Sequence, residues 1–164
     1  MNQNISIDQA LQLGIDAHKS GELEKADRYY TAILKVNPNH PDANHNMGVL
    51  ATNLGQTEKA VPFFKKAIKC NPSISQYWLS LCEAFLTLKN FTELAELLEN
   101  TKSAGIKGSV FEKLEHKLSQ IAKKNITKST NPPAEVTDAL LKLYELEKFP
   151  QTLNEVSNLL AEFP

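Results

Sequence analysis

The sequence predicts an all-α fold made of stacked helix hairpins, and three observations lead to this prediction. Residues 7–40 and 41–74 align without gaps and are identical at ten of 34 positions. Residues 109–124 have one apolar face at helical spacing, formed by Val110, Phe111, Leu114, Leu118 and Ile121. The 164 residues include only 6 Gly and 8 Pro, which is too few for the closely spaced turns of an all-β chain.

The composition excludes several classes of protein. The chain is 41% hydrophobic, which is too apolar for a disordered protein. Its formal net charge is -1, so we expect neither nucleic acid nor a membrane as a partner. The N-terminus has no basic start followed by an apolar run, and no window approaches 18 uninterrupted apolar residues. We therefore expect a cytoplasmic location.

Two glycine positions recur in the aligned segments. Gly14 and Gly48 lie in the first predicted helix of each hairpin, where the missing side chain lets the second helix approach. Gly21 and Gly55 follow that helix, at the place where a residue in the left-handed region commonly ends a helix. An alanine aligned in the second helix, Ala26 in the first hairpin, is expected to allow the same close approach from the other side.

The second helix of each hairpin is expected to end at an Asn-Pro pair. Pro38 and Pro72 disfavour helical geometry at the asparagine before them, so they mark the end of the repeat. Tyr30 and Phe64 align within the second helices. We expect their rings to fill the gap between neighbouring hairpins.

The 34-residue period and these residues resemble the tetratricopeptide repeat family, whose repeat is a helix–turn–helix with the pattern W-x2-L-G-x2-Y, A-x3-F and P. In residues 75–108 the aromatic start of that pattern is present as Trp78, and Cys82 replaces the close-approach glycine. The resemblance implies a right-handed superhelical solenoid of antiparallel hairpins. The matching residues are Ala10, Leu13, Gly14, Ala17, Ala26, Tyr30 and Pro38 in the first repeat and Asn44, Met47, Gly48, Ala51, Ala60, Phe64 and Pro72 in the second.

The array of hairpins is expected to be interrupted and then to restart. The third repeat departs from the pattern in its second helix, which ends without the usual proline. The helix after it has one apolar face and either caps the first array or bridges to the next hairpin. The predicted organisation is a region 1–108 with hairpins at 7–40, 41–74 and 75–108, a helix at 109–125, a linker at 126–133 and a further hairpin at 134–164.

The near-neutral total charge hides two charged segments. Residues 109–128 contain five lysines and two glutamates, whereas residues 134–164 contain six acidic residues and two lysines. The two segments could attract each other within one molecule or between two copies, unless both are ordinary solvated helix faces. A homo-oligomer formed by exchange of the 134–164 hairpin is one assembly that the sequence allows.

The resemblance also implies where a protein or peptide partner would bind. The first helices of stacked hairpins line the concave side of such an array, and a groove of mixed apolar and amide side chains suits an extended peptide or a partner helix. The alternatives are a solvated groove and a groove filled by the chain's own C-terminal helices. The predicted groove residues are Leu11, Ile15, His18, His45, Asn46, Val49, Asn53, Gln76, Leu79, Glu83 and Leu86.

One tetratricopeptide subfamily holds the C-terminal carboxylate of a peptide in a clamp of Lys, Asn and Arg side chains. Here only Asn46 lies at a matching position. Leu11, Gln76 and Ser80 lie where the cations are needed. We therefore do not expect this chain to bind its partner through a terminal carboxylate.

Patterns of catalytic or metal-binding residues are absent from the sequence. His40 and His45 have the wrong spacing for two ligands on one helix face, and Cys70 and Cys82 form no C-x-x-C pair. We expect no metal, no cofactor and no enzyme activity, and the leading hypothesis is a protein-interaction scaffold. The alternative is a substrate-recruiting or regulatory segment at the N-terminus of a larger glycosyltransferase- or sulfotransferase-like protein, which the apolar ending at Phe163 favours.

Overall fold

The computed structural model describes residues 5–126, and every regular element in that range is an α-helix. The all-α fold predicted from the sequence is confirmed. From residue 127 onward, the predicted linker and the predicted hairpin at 134–164 lie outside the described residues. The helices are α1 (Ile7–Lys19), α2 (Leu23–Val36), α3 (Pro41–Asn53), α4 (Thr57–Cys70), α5 (Ser75–Thr87), α6 (Phe91–Ser103) and α7 (Ser109–Ile126).

The chain divides into two compact units, residues 1–88 and residues 89–164. In the first unit, α1 packs on α2 and α3 packs on α4, and three residues connect the helices of each pair. Connections this short make paired helices antiparallel. Contacts between α2 and α3 and between α4 and α5 stack the elements in chain order, and α3 lies beside both α1 and α5. The first helices therefore form one continuous face.

Part of the core of the first unit lies at the seam between its first two hairpins. Tyr30 is fully buried there beside Ala26, Met47 and Leu50. A Cβ added at Gly14 would lie 2.6 Å from Tyr30 Cε1, so only glycine leaves room for this ring. The predicted roles of Gly14 in close approach and of Tyr30 in filling the seam are confirmed.

The side chain at the fourth position of the repeat bonds to the turn that precedes its helix. Asn44 Nδ2 donates to the carbonyl oxygen of Pro38 over 3.0 Å. Trp78 Nε1 donates to the carbonyl oxygen of Pro72 over 2.7 Å. An amide and an indole thus satisfy the same type of backbone acceptor, six residues earlier in the chain. This equivalence explains how Asn44 substitutes for the aromatic residue of the repeat pattern.

A residue in the left-handed region follows the first helix of each predicted hairpin. Gly21 has a φ of 78° and Gly55 a φ of 73°, as the sequence predicts. At the third equivalent position stands Lys89, with a φ of 59°. A residue that carries a Cβ pays about 1 kcal/mol for this conformation, so the turn before α6 is strained.

The described part of the second unit consists of α6 and α7, which pack on each other. Leu98 of α6 is buried, and Phe111 and Leu118 are buried on α7. Lys102 Nζ and Glu115 Oε1 form a salt bridge of 2.6 Å between the two helices. Among the described helices, none combines the length and the apolar character that a membrane span requires.

Candidate functional site

The predicted groove residues lie on α1, α3 and α5 of the first unit. We call these eleven residues the groove face. Because α3 lies beside both of the other helices, the structure brings all eleven residues onto adjacent elements. All residues of the groove face therefore belong to the first unit.

The apolar members of the groove face are partly buried. Leu11 and Ile15 pack against the core of the first two hairpins, so part of each side chain serves folding and not binding. Val49, Leu79 and Leu86 are also neither buried nor fully exposed. The face consequently keeps accessible apolar surface of the kind that lines ligand grooves.

Hydrogen bonds join neighbouring first helices across the groove face. Asn53 Nδ2 donates to His18 Nε2 over 2.9 Å, and His45 Nε2 lies 2.9 Å from Ser80 Oγ. Each bond connects residues that are 35 positions apart, one more than the repeat length. The predicted groove residues His18, His45 and Asn53 therefore bond within the fold and do not present these atoms freely to a ligand.

His45 lies between two aromatic rings in a largely desolvated position. Its ring centroid is 5.7 Å from that of Phe64 and 4.9 Å from that of Tyr77. Burial lowers the pKa of His45, and the negative charge of Asp42 opposes this effect only in part. The imidazole is therefore neutral near pH 7 when it bonds to Ser80.

One further pair on the same helices was not among the predicted groove residues. The hydroxyl of Tyr77 donates to the carboxylate of Asp42, again 35 positions away. Burial and this bond hold the pKa of Tyr77 well above its usual range. An alignment of repeats compares residues 34 positions apart and so passes over contacts displaced by one residue. A search for complementary polar residues at a spacing of 35 would have found all three pairs.

Three polar members of the groove face have little or no side-chain bonding to other described residues. Asn46 is half-buried on α3 and forms no side-chain hydrogen bond with any residue between 5 and 126. Gln76 reaches Ser80 only at 3.5 Å. Glu83 is exposed and has no ion pair with another described residue. These three side chains are the polar groups that remain for a ligand.

The described residues offer no set of metal ligands. Within 5–126, no group of three or more His, Cys, Asp and Glu side chains could hold a metal ion. His40 instead caps α3, where its Nδ1 accepts from the backbone N–H of Ala43 over 3.3 Å. Cys82 is buried, which raises the pKa of its thiol to about 12. At neutral pH this thiol is protonated and a poor nucleophile.

The architecture is similar to that of several solved structures. It matches the tetratricopeptide domain of Sgt2 from Aspergillus fumigatus with a TM-score of 0.64 and 22% identity, over 78% of this chain and 85% of that chain. The TPR2B domain of yeast Sti1 in complex with pHsp70 gives a TM-score of 0.62 and 19% identity, over 70% and 96% of the two chains. PcrH in complex with the chaperone binding region of PopD gives 0.57 and 14%, over 74% and 93%.

One segment of the chain also matches a family model in sequence. Residues 29–61 match the family model of the tetratricopeptide repeat. In this segment the chain resembles the tetratricopeptide repeat family, and its fold is similar to that of tetratricopeptide domains. The matched segment begins in α2 and ends in α4, so it includes the connection between the first two hairpins. No curated protein matches the chain in sequence.

Proposed function

We propose that this protein is a non-catalytic interaction scaffold whose groove face binds an extended peptide or a helix of a partner protein. Two of the structurally similar tetratricopeptide-type proteins are known in complexes, one with pHsp70 and one with the chaperone binding region of PopD. The observation on this chain that carries the proposal is the side-chain amide of Asn46, which has no hydrogen-bond partner in the part of the chain that the structure describes.

Asn46 occupies the middle of the groove face. The neighbouring polar groups His18, His45 and Asn53 are already hydrogen-bonded within the fold, whereas the side chain of Asn46 bonds to no other residue between 5 and 126. Its half-buried amide offers two donors and one acceptor. A peptide backbone presents the complementary carbonyl and N–H groups, so one residue of an extended ligand could satisfy both ends of this amide.

Apolar side chains flank Asn46 and supply the contact area. Val49 on the same helix and Leu79 on α5 retain accessible surface, and they suit aliphatic side chains of a ligand. Of the eleven groove-face residues only Glu83 is charged at neutral pH, because burial lowers the pKa of both histidines. Recognition would then depend on shape and hydrogen bonds, and we expect affinity to change little with salt concentration.

The ligand that we propose is an internal peptide segment and not a free C-terminus. The three positions that would need cations for a carboxylate clamp carry Leu11, Gln76 and Ser80. Ser80 is also buried and lies 2.9 Å from His45 Nε2, so a longer side chain at this place would disrupt the fold. Peptides with a free carboxylate and with an amidated C-terminus are expected to bind equally.

The proposal can be tested with a displayed library of random linear peptides selected on the full chain. Selected peptides would be measured by calorimetry against the variants Asn46→Ala and Leu79→Ser. We expect each variant to weaken binding by about tenfold, the value of one hydrogen bond or one apolar anchor. The control is Lys59→Ala, an exposed residue of α4 outside the groove face. Equal affinity of all three variants and the original chain would refute a groove-face site.

A further inference from the structure

Helix α7 has an apolar stripe beside its buried face that is only partly covered. Phe111 and Leu118 are buried, but Val110 is 43% exposed and Leu114 and Ile121 are only half-buried. Spacings of four and seven residues place Val110, Leu114 and Ile121 on one side of the helix. We call these three residues the α7 stripe. An amphipathic helix of a globular protein normally buries such a row.

Lysines border the α7 stripe on the side away from the buried face. Lys113 and Lys117 are exposed, and neither forms an ion pair with another described residue. Each lies three residues after a member of the stripe, Val110 or Leu114, and so stands beside it on the helix surface. The stripe therefore fits an occupant that is apolar on one face and acidic around it.

We propose that residues 134–164 of the same chain dock on the α7 stripe. This segment has six acidic residues and two lysines, the charge that complements the lysine border. Its apolar residues Val136, Leu140 and Leu143 recur at helical spacing. Residues 134–164 therefore combine the acidic charge and the apolar helix face that suit the α7 stripe.

The length of chain between the two partners permits the contact. Residue 134 lies eight residues after Ile126, where α7 ends. This connection spans roughly 26 Å when it is extended. Helix α7 has 18 residues and is therefore roughly 27 Å long. The chain can therefore turn back and run beside α7, over a connection of the length usual between packed helices.

Zero-length carbodiimide cross-linking of the full chain tests the contact directly. An equal mixture of chains labelled with ¹⁴N and ¹⁵N separates links within one molecule from links between two. We expect links within one molecule from Lys113 or Lys117 to carboxylates of residues 134–164. Links of that segment to Lys19 beside the groove face, links found chiefly between differently labelled chains, or no links from Lys113 and Lys117 would each overturn the proposal.

Hydrogen exchange with mass spectrometry gives an independent readout on full-length variants. Val110→Asp adds a negative charge to the stripe at an exposed position, and we expect amide exchange in residues 134–164 to accelerate by about tenfold or more. The control Asn100→Asp adds the same charge at an exposed position of α6, outside the stripe and its lysine border, and should leave that exchange unchanged. Exchange in α6 reports whether each variant remains folded. Equal exchange in residues 134–164 for both folded variants would overturn the proposal.

Discussion

Gly48 on α3 lies directly against the ring of Phe64 on α4. A Cβ added at Gly48 would lie 2.5 Å from Phe64 Cε1 and 2.7 Å from Cδ1, closer than such atoms can approach. Gly14 and Tyr30 repeat this relationship in the first hairpin. The glycine therefore sets the distance between the two helices of a hairpin, and the aromatic ring fills the space that the glycine leaves.

The substitution Gly48→Ala should destabilise the first unit by about 1–3 kcal/mol, because the ring of Phe64 is buried and cannot move away without strain. Urea unfolding followed by circular dichroism measures the change. The double variant Gly48→Ala/Phe64→Leu provides the control, since a smaller side chain removes the clash. Its loss of stability should be less than the sum of the two single losses. Additive losses would show that the alanine does not act through Phe64.

The hydroxyl of Tyr30 is the subject of a second prediction. It is buried and has no hydrogen-bond partner among the described residues, and burial raises the pKa of Tyr30 to about 12. Tyr30→Phe should therefore raise the free energy of unfolding by about 1 kcal/mol, because it removes a desolvated polar group without leaving a cavity. Phe64, which occupies the equivalent position in the second hairpin, shows that phenylalanine fits.

Urea unfolding of Tyr30→Phe measures this change, and Tyr29→Phe is the control variant. Tyr29 is half-buried on the same helix, so its substitution removes a hydroxyl that is not fully desolvated and should change stability little. If Tyr30→Phe lost stability while Tyr29→Phe did not, the hydroxyl of Tyr30 would have to make a bond that stabilises the fold, contrary to the prediction.

The repeat alignment predicts contacts within a hairpin better than contacts between hairpins. Gly48 and Phe64 belong to one 34-residue unit, and their geometry recurs because the same steric requirement acts in each unit. His45 and Ser80 belong to different units and meet with a displacement of one residue. The alignment therefore predicts which helices form the groove face, but it does not reveal which of its polar groups are already bonded.

Some predicted groove residues also contribute to the core. Leu11 and Ile15 are predicted to face the groove from their position in the repeat, and both pack on the core of the first two hairpins. A residue's register fixes the direction of its side chain, whereas the size of its neighbours fixes how much of it stays accessible. The accessible surface of a residue depends on neighbours that are far apart in the sequence, and the alignment contains no information on those neighbours.

Lys89 gives a third prediction, which concerns the turn before α6. Its φ of 59° lies in the left-handed region, where glycine avoids the steric cost of a Cβ. Lys89→Gly should therefore raise stability by up to about 1 kcal/mol. The matched substitution is Gly55→Ala at the equivalent turn, where φ is 73° and an added Cβ would meet no atom within 4 Å.

Gly55→Ala should thus lower stability by about 1 kcal/mol through backbone strain alone. Urea unfolding of both variants measures the two changes under one set of conditions. A decrease in stability for Lys89→Gly would mean that the lysine side chain contributes more to the fold than the strained backbone costs.

The fourth prediction concerns the dependence of stability on pH. Desolvation lowers the pKa of His45 in the folded chain, whereas in the unfolded chain the group titrates near its ordinary value of about 6.5. Below that pH the unfolded state binds more protons than the folded state, so the free energy of unfolding should fall as the pH decreases. Urea unfolding between about pH 7.5 and about pH 5.5, above most carboxylate titrations, measures this slope.

His45→Gln removes the titrating group while keeping a side chain that can hydrogen-bond to Ser80, and it should flatten the slope. His18, whose pKa burial also lowers, accounts for the slope that remains in the variant. An unchanged slope in His45→Gln would show that His45 does not carry the predicted dependence.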